Sequence, residues 1–322
     1  MSLAEAIKRE ARSLGFNAIG IAPVSLPASP TNLVDRLQEW LRRGYHGTMT
    51  WIARDPSRRA DPQLVLPGCR SLISVGMNYD TGHRATEGSG YGRIARYAWG
   101  KDYHQTFGDR LNQLETRILE LAPGATTRSY VDTGPVMEKA WAQQAGLGWI
   151  GKHSNLVSSE YGSWLLLGEI LTTLDLPPDE PATDLCGTCS LCIQACPTGA
   201  IVEPYVVDAN RCISYLTIEF RGSRQDIPEE LTSRMGNHIF GCDDCLDVCP
   251  FNLRGERTTE QAFLPSPTTL APRLDDLATL DETTFAEQFR ESPIRRAKLH
   301  GFQRNILIAQ RNRSLPHISP SS

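Results

Sequence analysis

Eight of the nine cysteines in this chain fall between positions 186 and 249. Four form the run Cys186-x2-Cys189-x2-Cys192-x3-Cys196-Pro197. Three more form Cys242-x2-Cys245-x3-Cys249-Pro250, and Cys212 stands upstream of that second run. Thiolates at these intervals, closed by Cys-Pro, are the pattern that holds iron–sulfur cubanes in bacterial two-cluster ferredoxins. There the fourth cysteine of a run ligates the other cluster. One set is then Cys186, Cys189, Cys192 and Cys249. The other is Cys242, Cys245, Cys196 and Cys212, with Cys212 in the place of a missing first cysteine. Both four-thiolate sets are complete. Structural zinc sites pair C-x2-C motifs across longer loops, so the spacing favours iron. Cys69, after Leu64-Val-Leu-Pro-Gly68, reads as a small core residue.

Clusters of this kind move electrons singly. A bare ferredoxin is far shorter than this chain, in which residues 1–175 precede the cysteine runs. The clusters are therefore expected to feed a second centre. The preceding segment holds no C-x-x-C-H haem site and no Gly-x-Gly-x-x-Gly turn opening a helix.

Composition limits the alternatives. The 322 residues are 40% hydrophobic and 22% charged, with 26 Gly and 21 Pro. That balance excludes a disordered chain, a collagen and a coiled coil. The net charge of −4 gives no general basic field, so an RNA partner needs a local basic face. The apolar stretch Trp164–Leu167 is broken by Gly168 and Glu169, far short of the ~20 residues a membrane helix needs. The start, MSLAEAIKREARSLGF, shows no secretory or twin-Arg pattern, which points to the cytoplasm. In a reducing cytosol disulfides are rare, which again marks the clustered cysteines as ligands.

The elements that must carry these groups follow from periodicity. Ile7, Ala11 and Leu14 predict a first helix, and Ala18–Ala22 a strand closed by Pro23. Leu33, Leu37 and Leu41 predict a second helix, and Leu72–Met77 a buried strand. Phe107, Leu111, Leu114, Ile118 and Leu121 make a long amphipathic helix, stopped by Pro123-Gly124. Ser129–Val131 reads as a strand and Val136–Ala145 as a helix. Leu156–Ser158 and Ser163–Leu167 are expected to pair as a hairpin around Glu160-Tyr161-Gly162. Residues 175–184, rich in prolines and acids, read as a stiff, solvated linker. A Thr/Pro-rich stretch follows the cysteines, then helical pattern from about Leu277. Phe302, Ile306 and Ala309 predict the start of a helix pair, before a polar Ser/Pro tail.

Several segments together resemble the epoxyqueuosine reductases. They are Arg96-Tyr-Ala-Trp-Gly-Lys-Asp-Tyr-His104, Val131-Asp-Thr-Gly-Pro135, Lys139-Ala-Trp-Ala-Gln-Gln-Ala-Gly-Leu-Gly-Trp-Ile-Gly-Lys152 and Arg211-Cys-Ile-Ser-Tyr-Leu-Thr217. The cysteine spacing and Gly241-Cys-Asp243 agree with it. The resemblance runs over about residues 1–310. It implies an α+β protein with a cobalamin-binding, nitroreductase-like α/β domain over 1–175. A ferredoxin-type domain with two [4Fe-4S] clusters is implied over 176–256, and a C-terminal helical region over 257–322. Many members continue into helical repeats that help hold tRNA; this chain stops near residue 322 and is expected to be either a short natural form or a truncated one.

The same resemblance implies reduction of epoxyqueuosine to queuosine at the wobble position of tRNA. The cofactors would be a cobalamin bound without its lower base and the two clusters, with electrons passing from clusters to cobalt. An external low-potential donor, a monomeric state and no membrane complete the expectation. Asp132, alone a turn or cap residue, takes the position of the family's proton donor. Over an apolar corrin face its pKa is expected to rise. Arg59, Arg96, Tyr97, Tyr103, His104, Lys152, His153, Ser154, Asn155, Tyr161, Gly162 and Ser163 are implied to border the cobalamin. Ser214, Tyr215, Gly241 and Asp243 are placed near a cluster. Arg221, Arg224, Arg295, Arg296, Lys298 and Arg304, with Arg254 and Arg257, are basic groups for a phosphate-binding strip. A reductive dehalogenase is the rival enzyme, opposed by the missing twin-Arg signal. A plain two-cluster electron-transfer module is the rival without catalysis, and a cobalamin spectrum would dismiss it.

Overall fold

The computed structural model describes residues 1–24 and 33–313. The Ser/Pro tail lies outside the described residues. Helix α1 (Leu3–Ser13) opens with a capping box, Ser2 and Glu5 bonding each other's backbone N–H. Strand β1 (Ala18–Pro23), helices α2 (Leu33–Arg42) and α3 (Pro56–Ala60), and strands β2 (Ser71–Asn78) and β3 (Arg93–Ile94) follow. Helix α4 (Tyr103–Leu121), strand β4 (Thr127–Tyr130) and helix α5 (Glu138–Gln144) lead to β5 (Trp149–Ile150), β6 (Leu156–Val157) and β7 (Leu165–Thr172).

The main sheet has the order β1-β2-β7-β4 and is antiparallel throughout. Every residue of β2 is buried, because helices cover both faces. Alternation sorts the side chains. Ile73, Val75 and Met77 meet Ile7, Phe107 and Leu111 from α1 and α4, while Leu72 meets Trp141 and Ala145 near α5.

The expected hairpin over 156–167 does not form. Leu156–Val157 pairs with Trp149–Ile150, and only one bridge joins Ser158 to Gly162. Residues 165–172 lie in mid-sheet instead, where β2 and β4 offer longer ladders. The linker over 175–184 is not free in solvent either. Asp179 takes a bond from Lys8 at 2.5 Å and the Ile21 N–H at 2.8 Å. Leu176 is buried and its N–H reaches Ser71 at 3.0 Å. The segment is stitched to the strands it follows.

The cysteine segment holds α6 (Leu191–Ala195), β8 (Ile201–Glu203), β9 (Val206–Val207), α7 (Ile213–Ile218), α8 (Glu229–Arg234), β10 (His238–Phe240) and α9 (Asp244–Asp247). Strand β10 pairs parallel with β3, across about half the chain. Beyond it lie α10 (Pro267–Leu270), α11 (Leu274–Leu277), α12 (Glu282–Gln288) and α13 (Lys298–Asn312). The pattern read from Leu277 is broken there: one helix ends at that residue and the next begins at Glu282. Phe302, Ile306 and Ala309 share the single helix α13 rather than opening a pair. They pack with Ile94, Trp99, Ile239 and Phe240 in one core.

Candidate active site and cluster ligands

The first turn of α4 sets up a row of titratable groups. Asp102 caps the helix, accepting the His104 N–H at 3.1 Å. The same carboxylate oxygen lies 2.7 Å from His104 Nδ1. On the other side of the ring, His104 Nε2 is 3.5 Å from Asp132 Oδ2. Tyr103 is buried and stacks on the imidazole at 4.2 Å, and Tyr97 meets Tyr103 edge-on at 6.1 Å. The bond from Asp102, followed by Asp132, pushes His104 up to about 9.

The expected rise at Asp132 is not what the geometry produces. The hydrogen bond with His104 holds its carboxyl below the ordinary aspartate range. Its side chain is 61% exposed, so burial does not outweigh that bond. At neutral pH the proton of this pair therefore rests on His104. The carboxyl that is pushed up is Glu138, to about 8, by burial and then by the Asp132 charge. Asp132 itself has φ +58°, and the Thr133 N–H closes a three-residue turn onto Val131 O at 2.6 Å. Beside Glu138, the Lys139 ammonium donates to Ser154 O and Asn155 Oδ1, both at 2.9 Å.

The fold gathers the cysteines into the two sets expected from spacing. Burial raises the Cys192 thiol, and its thiol neighbours are Cys186, Cys189 and Cys249. Burial likewise raises Cys245, whose neighbours are Cys212 and Cys196, and Cys242, which adjoins Cys212 and Cys245. Cys192 also neighbours Cys245, so the sets adjoin. None of the cysteines is in a disulfide. Hydrogen-bond donors already face the sulfurs, which favours thiolate. Trp149 Nε1 lies 3.4 Å from Cys186 Sγ and the Ala200 N–H 3.2 Å from Cys196 Sγ. The Ser214 and Tyr215 N–H groups bond Cys212. Four thiols with N–H donors fit a cubane on each side.

Gly241 and Asp243 tie the second run to the turn at Arg96. Gly241 has φ +68°, and a Cβ there would stand 2.5 Å from the Ala95 Cβ, so no other residue fits. Asp243 accepts the Arg96 N–H at 2.7 Å, and burial pushes its carboxyl up to about 6. Arg96 lies over the Trp164 ring at 4.4 Å and pairs with Asp247 at 2.8 Å.

Residues 59–133 match the family described as Epoxyqueuosine reductase QueG, DUF1730, and residues 185–252 match the 4Fe-4S double cluster binding domain. An epoxyqueuosine reductase of Synechocystis is 46% identical over 89% of this chain and 98% of its own. The chain belongs to the epoxyqueuosine reductase family. A crystal structure of an epoxyqueuosine reductase with an epoxyqueuosine-modified tRNA-Tyr stem loop superposes with a TM-score of 0.88. It is 32% identical over 97% of this chain and 81% of its own. A Bacillus subtilis epoxyqueuosine reductase, solved with its catalytic aspartate loop swung out of the active site, gives 0.88 at 31% identity. That match covers 97% of this chain and 82% of its own.

Other residues singled out by resemblance to epoxyqueuosine reductases are tied to the scaffold. Lys152 donates to Gly187 O and Cys189 O at 2.7 and 2.8 Å, so its charge steadies the first cysteine run. His153 is buried, and burial pushes it down to about 4. It faces Ser163 at 3.5 Å and accepts the Asn155 N–H at 3.1 Å. Ser154 donates to Tyr205 O and Tyr161 to Asn17 O. Gly162 has φ +60°, and a Cβ there would meet Asn252 Oδ1 at 2.0 Å; the Ser163 N–H donates to that oxygen. Tyr215 OH is bonded by Thr48, and Arg59 stacks on Trp51 at 5.2 Å.

The basic strip divides. Arg295, Arg296 and Lys298 are exposed together at one turn, with Arg296 also paired to Glu219 at 2.8 Å. Arg304 is a correction: it is buried, and its guanidinium donates to Leu216 O, Phe220 O and Gly222 O. It caps carbonyls and offers nothing to a phosphate. Arg221 donates to Arg296 O and Ala297 O, Arg224 pairs with Glu229 at 2.6 Å, and Arg257 pairs with Asp80. Sequence reasoning missed Glu138 and Glu169. Isolated carboxylates at a helix start and in a strand carry no spacing signal.

Proposed function

We propose that this chain reduces epoxyqueuosine to queuosine at the wobble position of tRNA anticodon loops. Membership of the family supports this, as does the likeness to a relative solved with the modified stem loop. The observation that carries the reading is the Asp102–His104–Asp132 row, which ends in an exposed carboxylate. Converting an epoxide to an alkene releases its oxygen as water and takes up two electrons and two protons. The protons are this row's task. Asp132 hands a proton to the departing oxygen, and His104, charged at neutral pH, resupplies it. Asp102 fixes the ring so that Nε2 faces Asp132.

Cobalamin, held without its lower base, would supply the reduced centre, and two [4Fe-4S] clusters the electrons. Arg59 lies in a segment with two buried polar atoms that lack partners, His46 Nδ1 and Arg58 Nε, which suit the amide groups of a corrin. Tyr97, Tyr103 and His104 form the wall nearest Asp132. The Cys196, Cys212, Cys242 and Cys245 set also neighbours Lys139, next to Glu138, and would be the cluster nearer the chemistry. Arg295, Arg296 and Lys298 would contact tRNA phosphates. No helix among the described residues is long and apolar enough to cross a membrane. The protein would act as a cytoplasmic monomer served by an external low-potential donor.

The test is nucleoside mass spectrometry of tRNA from a strain lacking this gene. Epoxyqueuosine should accumulate there and be converted when the gene is restored. Unchanged queuosine in the deletion strain would remove the assignment.

The relay also sets a pH dependence. His104 is raised to about 9, so its charged form persists through neutral pH and is lost as pH rises through that value. Single-turnover product formation should fall along that alkaline limb. In His104→Gln the limb should vanish and the rate stay low throughout. An unchanged profile in the variant would place the proton source elsewhere.

A further inference from the structure

The loop that carries Asp132 has one backbone bond of its own, from the Thr133 N–H to Val131 O, and a side chain holds the rest. Its three-residue turn puts a non-glycine residue at φ +58°, a conformation that persists only where neighbours impose it. The neighbour is Glu138, in the first turn of α5. Its Oε1 accepts the Asp132 N–H at 2.6 Å. No helix hydrogen bond requires a carboxyl to turn back there. Behind it lies Glu169, in register with Tyr130 on β4, the strand that launches the loop. Glu169 is 1% exposed, and its Oε1 has no hydrogen-bond partner. An unpaired carboxyl sealed in a sheet costs stability unless it does something. Burial pushes the Glu169 carboxyl well above its ordinary range, and the neighbouring carboxyls of Glu138 and Asp132 push the same way.

We propose that Glu138 is the positioning residue of the proton-donating loop, tying the Asp132 amide inward with the buried carboxyl of Glu169 behind it. This rests on the reading of Asp132 as proton donor. When the tie is made, Asp132 Oδ2 faces His104 Nε2 and can be recharged; when it is broken, the turn relaxes and the carboxyl leaves the row. The family's loop does take a second position in the Bacillus subtilis structure. Glu138 needs only an acceptor oxygen for this task, not a charge. Glu138→Gln keeps that oxygen, whereas Glu138→Ala removes it.

The experiment pairs hydrogen exchange over residues 128–137 with steady-state kinetics on a modified stem loop. One lost hydrogen bond should shift the loop equilibrium by roughly tenfold. In Glu138→Ala the open-to-closed ratio should therefore rise roughly tenfold, shared between faster exchange at the Asp132 amide and a lower kcat whose fold-changes multiply to about ten, with KM unchanged. Glu138→Gln should keep both near the parent values. Parent-like exchange in Glu138→Ala would overturn the proposal, as would a Glu138→Gln variant as impaired as the alanine. If Glu138→Ala does not fold, the glutamine variant decides alone: parent-like exchange and kcat support the tie, and their loss removes it. Should Asp132→Asn turn over at the parent rate, the donor assignment fails, while exchange in the Glu138 variants still tests the tie.

Discussion

Asp132→Asn should lower epoxyqueuosine turnover by at least the roughly 10²-fold typical of a lost acid catalyst. Asparagine keeps the shape and the hydrogen bond to His104 but has no proton to pass on. The side chain is exposed, and its amide bond to Glu138 comes from the backbone, so the fold should be unchanged. The check is product formation on modified tRNA, set beside the cofactor spectra. A variant with both clusters and bound cobalamin that nonetheless converts substrate at the parent rate would shift the role to Tyr103 or His104. A variant that loses cobalamin would show Asp132 to be structural.

Cys212→Ala should be the most damaging change outside the two tight cysteine runs. Cys212 stands alone in sequence, yet the fold sets it beside Cys196, Cys242 and Cys245, under the N–H groups at the start of α7. Anaerobically purified protein should carry about eight irons, and the variant about four. The set around Cys192 should survive, because none of its members depends on α7. Turnover with an external reductant should collapse with the lost cluster. Full iron content and an unchanged cluster spectrum in the variant would remove Cys212 from the ligands, and zinc in place of iron would remove the cluster assignment itself.

The cysteine sets were legible in sequence because ligand spacing is written directly in the chain. Helix α4 was legible because Phe107, Leu111, Leu114 and Ile118 repeat at its own period. The failures share a cause, since each depends on a partner far along the chain. Leu165–Thr172 pairs with strands from residues 71–78 and 127–130, not with its neighbour. Arg304 reads as a surface cation until carbonyls at 216, 220 and 222 are seen to need capping. Lys152 reads as a loop lysine until the Gly187 and Cys189 carbonyls arrive. The proton assigned to Asp132 resides on His104 because charge is shared through space, and the motif shows only that the two residues exist.

The parallel pairing of β3 with β10 bears on how the protein is made. Ile94 and Trp99 emerge from the ribosome long before Ile239, Phe240, Phe302 and Ile306, with which they form one core. Loop-closure entropy across such a separation slows that step and leaves apolar surface waiting. Synthesis order thus makes the cysteine segment a prerequisite for finishing the fold around it. A nascent chain that has not yet reached Phe302 leaves Trp99 uncovered, exposed to chaperones and proteases.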